Sequence, residues 1–199
     1  MSRPRTVSDE QILDAASRAI GRVGPAKLTL AEVAEDAGLA PATLLQRFGS
    51  KRELLLALTQ RSAGGAKAEF DLARAAHDSP VEALYTGLAS LAAPVAEPDA
   101  FANHLAFLHI DLSDPEFHRY AKADFEAVLA ELRALLDEAV AAAELHCEDT
   151  RQLARTVQTV YNGALLAWAV YRQGELDAWL RRELAAALEP YRSESGASG

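Results

Sequence analysis

The chain has 199 residues, half of them apolar and 25% charged, with one cysteine and a formal net charge of −9. That length and apolar content allow a sizeable core, as one large domain or a small domain plus a mid-sized one. Cys147 alone excludes an intrachain disulfide framework, and no Cys/His spacing forms a zinc site. An acidic pI near 5.0 argues against a nonspecific nucleic-acid coater, whose binding rests on summed phosphate neutralisation, but leaves room for a specific binder whose positive charge is local. No apolar run of about 18 residues occurs, and no apolar stretch follows the N-terminal arginines, so neither a membrane span nor a secretory leader is expected. The expected address is the cytoplasm.

Met1 to Val7, with Arg3 and Arg5, form a short basic arm, either disordered or suited to a minor groove. Ser8 and Gln11 make a capping box that opens a first helix over about 8–23, with Ile12, Ala15, Ala16, Ala19, Ile20 and Val23 as its apolar stripe. Gly24-Pro25 stops it. Thr29 and Glu32 make a second box for a helix over about 29–37, with Val33, Ala34 and Ala37 on its inner face. Gly38 tolerates positive φ and suits the tight turn between helices crossing at roughly 90 to 120 degrees. A third helix over about 40–47 then turns Leu44 and Phe48 inward, with Leu39 plugging the turn. Its outward face is Pro41, Ala42, Thr43, Gln46 and Arg47.

Those outward residues are short, polar or basic, as reading base edges in a major groove requires. Gly38 to Arg52 carries Arg47, Lys51 and Arg52 and no acid. Through Arg52 the chain holds eight Lys/Arg against six Asp/Glu, net +2, which leaves −11 for the remainder. Ala42, Thr43 and Gln46 would face bases, Gln46 with a bidentate bond to adenine, while Thr29, Arg47 and Lys51 would hold phosphates. The competing reading is an αα-hairpin in a helical bundle with Arg47 and Lys51 merely solvated.

The segment Thr29 to Lys51 resembles the DNA-binding domain of the TetR family of bacterial one-component transcriptional regulators. That family shows a Thr opening the second helix, an Ala-x-x-x-Gly turn, a recognition helix with Thr-Leu-Tyr, then an aromatic or histidine, a Phe, and a Lys opening the fourth helix. Thr29, Ala34, Gly38, Thr43, Leu44, Phe48 and Lys51 stand at the matching positions. The sequence departs at Leu45, where the family has Tyr, and at Arg47, where it has Tyr or His, so that Arg47 could replace an aromatic phosphate contact by a charge-assisted one. The motif covers about a quarter of the chain; the remainder resembles the family in length and helical character.

Ser50 and Glu53 box the start of a fourth helix at Lys51, whose N-terminus and ammonium together suit a phosphate. Leu54, Leu55, Leu56 and Leu58 follow as far as Gly64-Gly65, either a loop or a hinge. Beyond that the pattern is helical throughout. Ser79-Pro80-Val81-Glu82 is a helix start. A helix over Pro98 to Leu112 places Phe101, His104, Leu105, Leu108 and Leu112 on one face. Asp114-Pro115-Glu116 starts a long helix with Phe117, Ala121, Phe125, Val128, Leu132 and Leu135 inward. Asp149 caps a helix that is apolar on nearly every side from Val157 to Tyr171 and that Gly174 closes. The last helix carries Leu176, Trp179, Leu180, Leu184 and Leu188 to Pro190.

The expected fold is therefore all-α with about nine or ten helices: a three-helix DNA-binding domain over 1–52, a helical effector-binding and dimerisation domain over 53–192, and a solvated tail over 193–199. A helix apolar all round must be buried all round, so the final two helices, about 149–190, read as half of a four-helix homodimer interface, as the resemblance also implies. Phe101, His104, Leu105, Phe125, Val128, Tyr161, Asn162 and Trp168 read either as core or as the walls of a small-molecule site, with His104 and Asn162 as hydrogen-bonding groups. The ligand cavity itself is an implication of the resemblance. His109, Asp111, Asp114, Glu116 and His118 are solvated acids and histidines at a helix start rather than a metal site, and no cofactor or catalytic constellation is expected. The expected function is a ligand-responsive regulator, a repressor on a palindromic operator in double-stranded DNA, released by a mostly hydrophobic effector. The alternative is a helical protein-interaction scaffold that has lost operator binding.

Overall fold

Capping chemistry sets most of the helix starts. The computed structural model describes residues 7–62 and 65–193, and among them ten α-helices and two short 3-10 turns account for the regular structure. The basic arm through Arg3 and Arg5, Gly64 of the expected hinge and residues 194–199 of the expected tail lie outside the described residues. No described helix is long and apolar enough to cross a membrane.

Two compact units share these helices, Met1–Ala63 with Asp99–Lys122, and Gly64–Pro98 with Ala123–Gly199. Neither boundary falls at residue 52. Helix α4 packs on α1, and its leucines enter the same apolar cluster as α1 to α3, so the first unit closes only after α4.

In the first unit, α1 (Asp9–Lys27) opens on the Ser8/Gln11 box with both bonds made. Gly24, at φ 76°, breaks the helix where the sequence places its stop, and a short turn runs on to Lys27. A Cβ at Gly24 would lie 2.6 Å from Asn103 Oδ1, and the Asn103 amide donates to the Gly21 carbonyl at 2.8 Å. α2 (Leu30–Ala37) starts on the Thr29/Glu32 box and ends at Gly38 in the left-handed region, φ 68°. α3 is Pro41–Phe48, and α4 is Lys51–Ser62 with the Ser50 hydroxyl accepting the Glu53 amide at 3.1 Å. The core joins Ile12, Ala15, Ala16 and Ala19 of α1 to Val33, Ala34, Leu44, Leu54 and Leu58, with Phe117 buried among them.

The unit is completed by α7 (Pro98–Ser113), assigned to it from Asp99, and by the opening turns of α8 (Pro115–Ala141). Its α7 differs from expectation. Phe101 is buried, but Phe107 and Ile110 pack on the cluster, whereas Leu105 and Leu112 are exposed and Leu108 is half-buried. A helix apolar on several sides offers more than one stripe, and Phe117, whose ring meets Phe107 edge-on at 6.3 Å, selects this one.

In the second unit, α5 (Gly65–Ala76) and α6 (Pro80–Ala92) pack so closely that a Cβ on Gly87 would stand 2.4 Å from the buried Phe70 ring. Arg74 ties α5 to the later turns of α8 through Glu131 at 2.8 Å and Glu138 at 3.2 Å. Those turns bury Val128, Leu132, Leu135, Leu136 and Ala139, but Phe125, expected inward, is exposed. Helix α9 (Thr150–Tyr171) is capped by Asp149, which accepts from the Gln152 amide, and packs against α10 (Leu176–Leu188). The residue that ends α9 in the left-handed region is Arg172 at φ 51°, not Gly174; Gly174, also at positive φ, lies in the link and accepts the Trp168 indole N–H at 3.0 Å. Ser193, expected to begin the tail, still donates to the Glu144 carbonyl beside the Leu145–Arg192 bridge.

Candidate nucleic-acid interface

The reading face follows from how α3 is held. Leu44 is its one fully buried residue, Phe48 is half-buried against the cluster, and successive side chains turn by about 100 degrees. Pro41, Ala42, Leu45 and Gln46 consequently stand exposed, with Thr43 half-covered. The structure thus brings Ala42 and Gln46 together opposite the core, with Thr43 flanking them on one side and Pro41 at the other edge of the helix. It adds Leu45, 54% exposed, which the outward face expected from the sequence does not include.

The three residues expected on phosphates are engaged within the protein. The Thr29 hydroxyl accepts from the Glu32 amide at 3.2 Å and donates to Glu32 Oε2 at 3.0 Å, so its proton is already used in the cap. Arg47 donates to the Val7 carbonyl at 2.6 Å and pairs with Asp9 at 2.6 Å, which fixes α3 to the start of α1. Lys51 Nζ donates to the Ala26 carbonyl at 3.3 Å, bringing the ammonium beside the link that leads to Thr29.

Arg52 is more firmly held. Its guanidinium bonds both oxygens of Asp114, at 2.9 and 3.1 Å, and Glu116 at 3.0 Å, and lies 5.4 Å from the centre of the Phe117 ring. These hydrogen bonds raise the Arg52 pKa still further above its ordinary value and hold the Asp114 carboxyl below the usual carboxylate range. The local positive charge read from Gly38 to Arg52 is therefore partly neutralised by acids from α1 and from the α7–α8 junction. No local pattern announces such partners, and only the fold shows them.

The residues proposed for a small-molecule site divide between the units. Phe101, His104 and Leu105 belong to the first, where the Phe101 and His104 rings lie 6.2 Å apart and His104 and Leu105 stay exposed. Phe125, Val128, Tyr161, Asn162 and Trp168 belong to the second. There Val128, Tyr161 and Trp168 are buried, and the Trp168 indole is spent on Gly174. Asn162 turns outward beside Leu166. Burial, and then the nearby Asp124 carboxylate, push the Tyr161 phenol above its ordinary value, while burial raises Asp124 itself. Asp124 was not singled out by the sequence. Among the described residues no three His, Cys, Asp or Glu are grouped as metal ligands.

On α9 an apolar strip remains in solvent, with Leu166 49%, Val170 70% and Tyr171 63% exposed. Beside it lies a shallow groove lined by Val160, Gly163, Ala164, Ala167, Tyr171 and Trp179, with the Glu183 carboxylate as its one charged group. The Trp179 indole N–H is buried without an acceptor among the described residues.

Residues 12–58 match the family described as bacterial regulatory proteins, tetR family. Over 134 residues the chain is 32% identical to the HTH-type transcriptional regulator BetI of Rhizobium meliloti (strain 1021). The matched stretch is 65% of this chain and 66% of that protein, just under two thirds of its length. The fold is shared with a TetR transcription regulator from Haloarcula marismortui, at a TM-score of 0.77 and 19% identity, covering 93% of this chain and 98% of the other. It is also shared with the transcriptional regulator FadR from Bacillus subtilis in complex with stearoyl-CoA, at a TM-score of 0.69 and 18% identity, covering 91% and 98%.

Proposed function

The chain belongs to the TetR family of bacterial regulatory proteins, and on that premise we propose that it is a cytoplasmic, ligand-responsive repressor that binds a palindromic operator as a homodimer. The observation that carries this reading is the exposed face of α3, where Ala42 and Gln46 stand clear of the core with Thr43 beside them, on a helix fixed from behind by Leu44. Gln46 reads adenine, and Lys51 meets a phosphate next to the α2 start. Arg47 reaches phosphate only by exchanging Asp9 for it, and otherwise serves to fix α3.

A single helix-turn-helix makes few base contacts, and two related by a twofold axis read a palindrome. The solvent-facing strip of α9, with the groove that it shares with α10, supports pairing of two copies through α9 and α10. The effector is small and mostly hydrophobic and binds in the second unit against Val128, Tyr161 and Trp168. The stearoyl-CoA complex of the FadR neighbour, whose acyl chain is apolar, supports an effector with an apolar part. An effector that prefers the form with splayed reading heads weakens operator binding by its differential affinity, typically about 1 to 3 kcal/mol.

A specific observation keeps one alternative in view: Arg47 and Arg52 are both neutralised by acids, as suits a helical interaction scaffold without operator binding. A band-shift titration with duplex DNA upstream of the protein's own gene separates the two. The regulator gives a discrete complex. Gln46→Ala relaxes preference at one base position by about 1 to 3 kcal/mol, and Lys51→Ala weakens all sequences alike and lowers the salt slope by about one. A chain indifferent to every duplex at low salt is the scaffold.

A further inference from the structure

Leu45 is the largest apolar side chain on the solvent face of α3, and nothing in the fold accounts for it. It follows Leu44, which is wholly buried, so the turn between successive residues carries Leu45 out of the core. It is absent from the apolar cluster and from the residues packed against that cluster. Pro41 and Ala42, four and three positions earlier, are its neighbours on the helix surface, and Gln46, the next residue, projects about 100 degrees further round the exposed side. The outcome is a strip of Pro41, Ala42 and Leu45 alongside one bidentate polar group.

We propose that Leu45 is a specificity-determining residue that reads the 5-methyl group of a thymine. The inference rests on the DNA-binding reading of α3. In the major groove the base edges offer donors, acceptors and one apolar group, the thymine methyl, so a leucine placed among the base-reading residues has one favourable contact to make. The small side chain of Ala42 lets the helix backbone come close enough for a branched four-carbon side chain to reach it. Because Gln46 suits adenine and Leu45 suits thymine, the adjacent pair selects an A·T pair, or two neighbouring A·T and T·A pairs, in each half-site. A polar residue at position 45 would instead seek a phosphate or a base edge and would be blind to the methyl.

The test uses the full-length protein and duplexes selected by it from a library with a randomised core. In the enriched duplex each thymine is replaced in turn by deoxyuridine, which removes only the methyl, and binding is followed by fluorescence anisotropy. For the native protein one replacement per half-site should weaken binding about four-fold, the worth of one buried methyl group. Leu45→Ala should bind the thymine and deoxyuridine duplexes equally, while Leu45→Met, which keeps the apolar contact, should retain the discrimination. Since Leu45 is exposed, both variants should melt with the native protein, and a lowered melting temperature would show that it serves the core instead. An enriched duplex whose thymines can all be replaced without loss, or with the same loss in Leu45→Ala, overturns the role of Leu45 and leaves operator binding standing. A library that yields no enriched sequence overturns both.

Discussion

Helices α3 and α9 each leave apolar side chains in water, and they do so on different scales. On α3 the exposed apolar group is one leucine among proline, alanine and glutamine. On α9 it is Leu166, Val170 and Tyr171 together, with the α9–α10 groove and Trp179 beside them. One leucine in a short polar strip matches a surface that is itself mostly polar with isolated methyl groups. A continuous apolar strip on a 22-residue helix matches another protein surface of the same kind. The same sequence property, a helix with too many apolar residues for its own core, therefore points to two different partners once the size of the patch is known.

The α9 strip is the easier of the two to disable. Val170→Glu sets a carboxylate in the centre of the proposed pairing face, and an uncompensated buried charge costs about 3 to 5 kcal/mol. Sedimentation velocity should show the native chain as a dimer at micromolar concentration and the variant as a monomer, with its dissociation constant raised a hundred-fold or more. A variant that sediments as the native dimer would move the pairing surface elsewhere and make the α9 strip a second, unrelated docking site.

On α3 two adjacent leucines have opposite surroundings. Leu44→Ala empties a fully buried position and should cost about 2 to 5 kcal/mol of unfolding free energy. Leu45→Ala should change it by no more than about 0.5 kcal/mol, since surface substitutions away from special features rarely do more. Urea denaturation measures both. Similar losses would show that α3 sits with a different face inward, and the assignment of its reading residues would rotate with it.

What the sequence discloses in each region follows from the range of the interactions. The α2–α3 hairpin is written in local chemistry: Thr29 with Glu32, Gly38 at positive φ, Leu44 inward. Each is a signal within a few residues, and each appears in the structure where expected. The ties that anchor the hairpin are not local. Arg47 finds Asp9 at the far end of α1, and Arg52 finds Asp114 across 62 positions. A count of positive charge along the segment cannot include those acids. In the same way α7 carries apolar residues around its circumference, so periodicity offers several inner faces, and only the position of Phe117 decides for Phe107 and Ile110 over Leu105 and Leu112. Phe125 was assigned inward from the α8 stripe, yet that helix passes from one compact unit into the other between Lys122 and Ala123, and a single continuous stripe does not describe both parts.

The smallest expected effect separates the units by the sign of one carboxylate's response to pH. In the first unit Asp114 is held low, chiefly by the Arg52 hydrogen bond and then by the Glu116 amide. Its folded pKa lies below the unfolded value of about 3.9, so its contribution is complete above that pH and disappears as pH falls through the folded value. In the second unit burial raises Asp124, so its charged form opposes folding above the folded pKa, and that opposition is relieved as pH falls. Melting temperatures followed from about pH 6 down to about pH 2.5 should show Asp114→Asn below the native protein at the start and converging with it at the end. Asp124→Asn should show the reverse ordering, at or above the native protein at the start. Because Asp114 is open to solvent, the displacement is modest and shrinks with added salt. If Asp114→Asn instead stays parallel to the native protein throughout, the Arg52 clamp carries no linked stability, and α4 is held to the α7–α8 junction by the packing of Phe107 and Phe117 in the core alone.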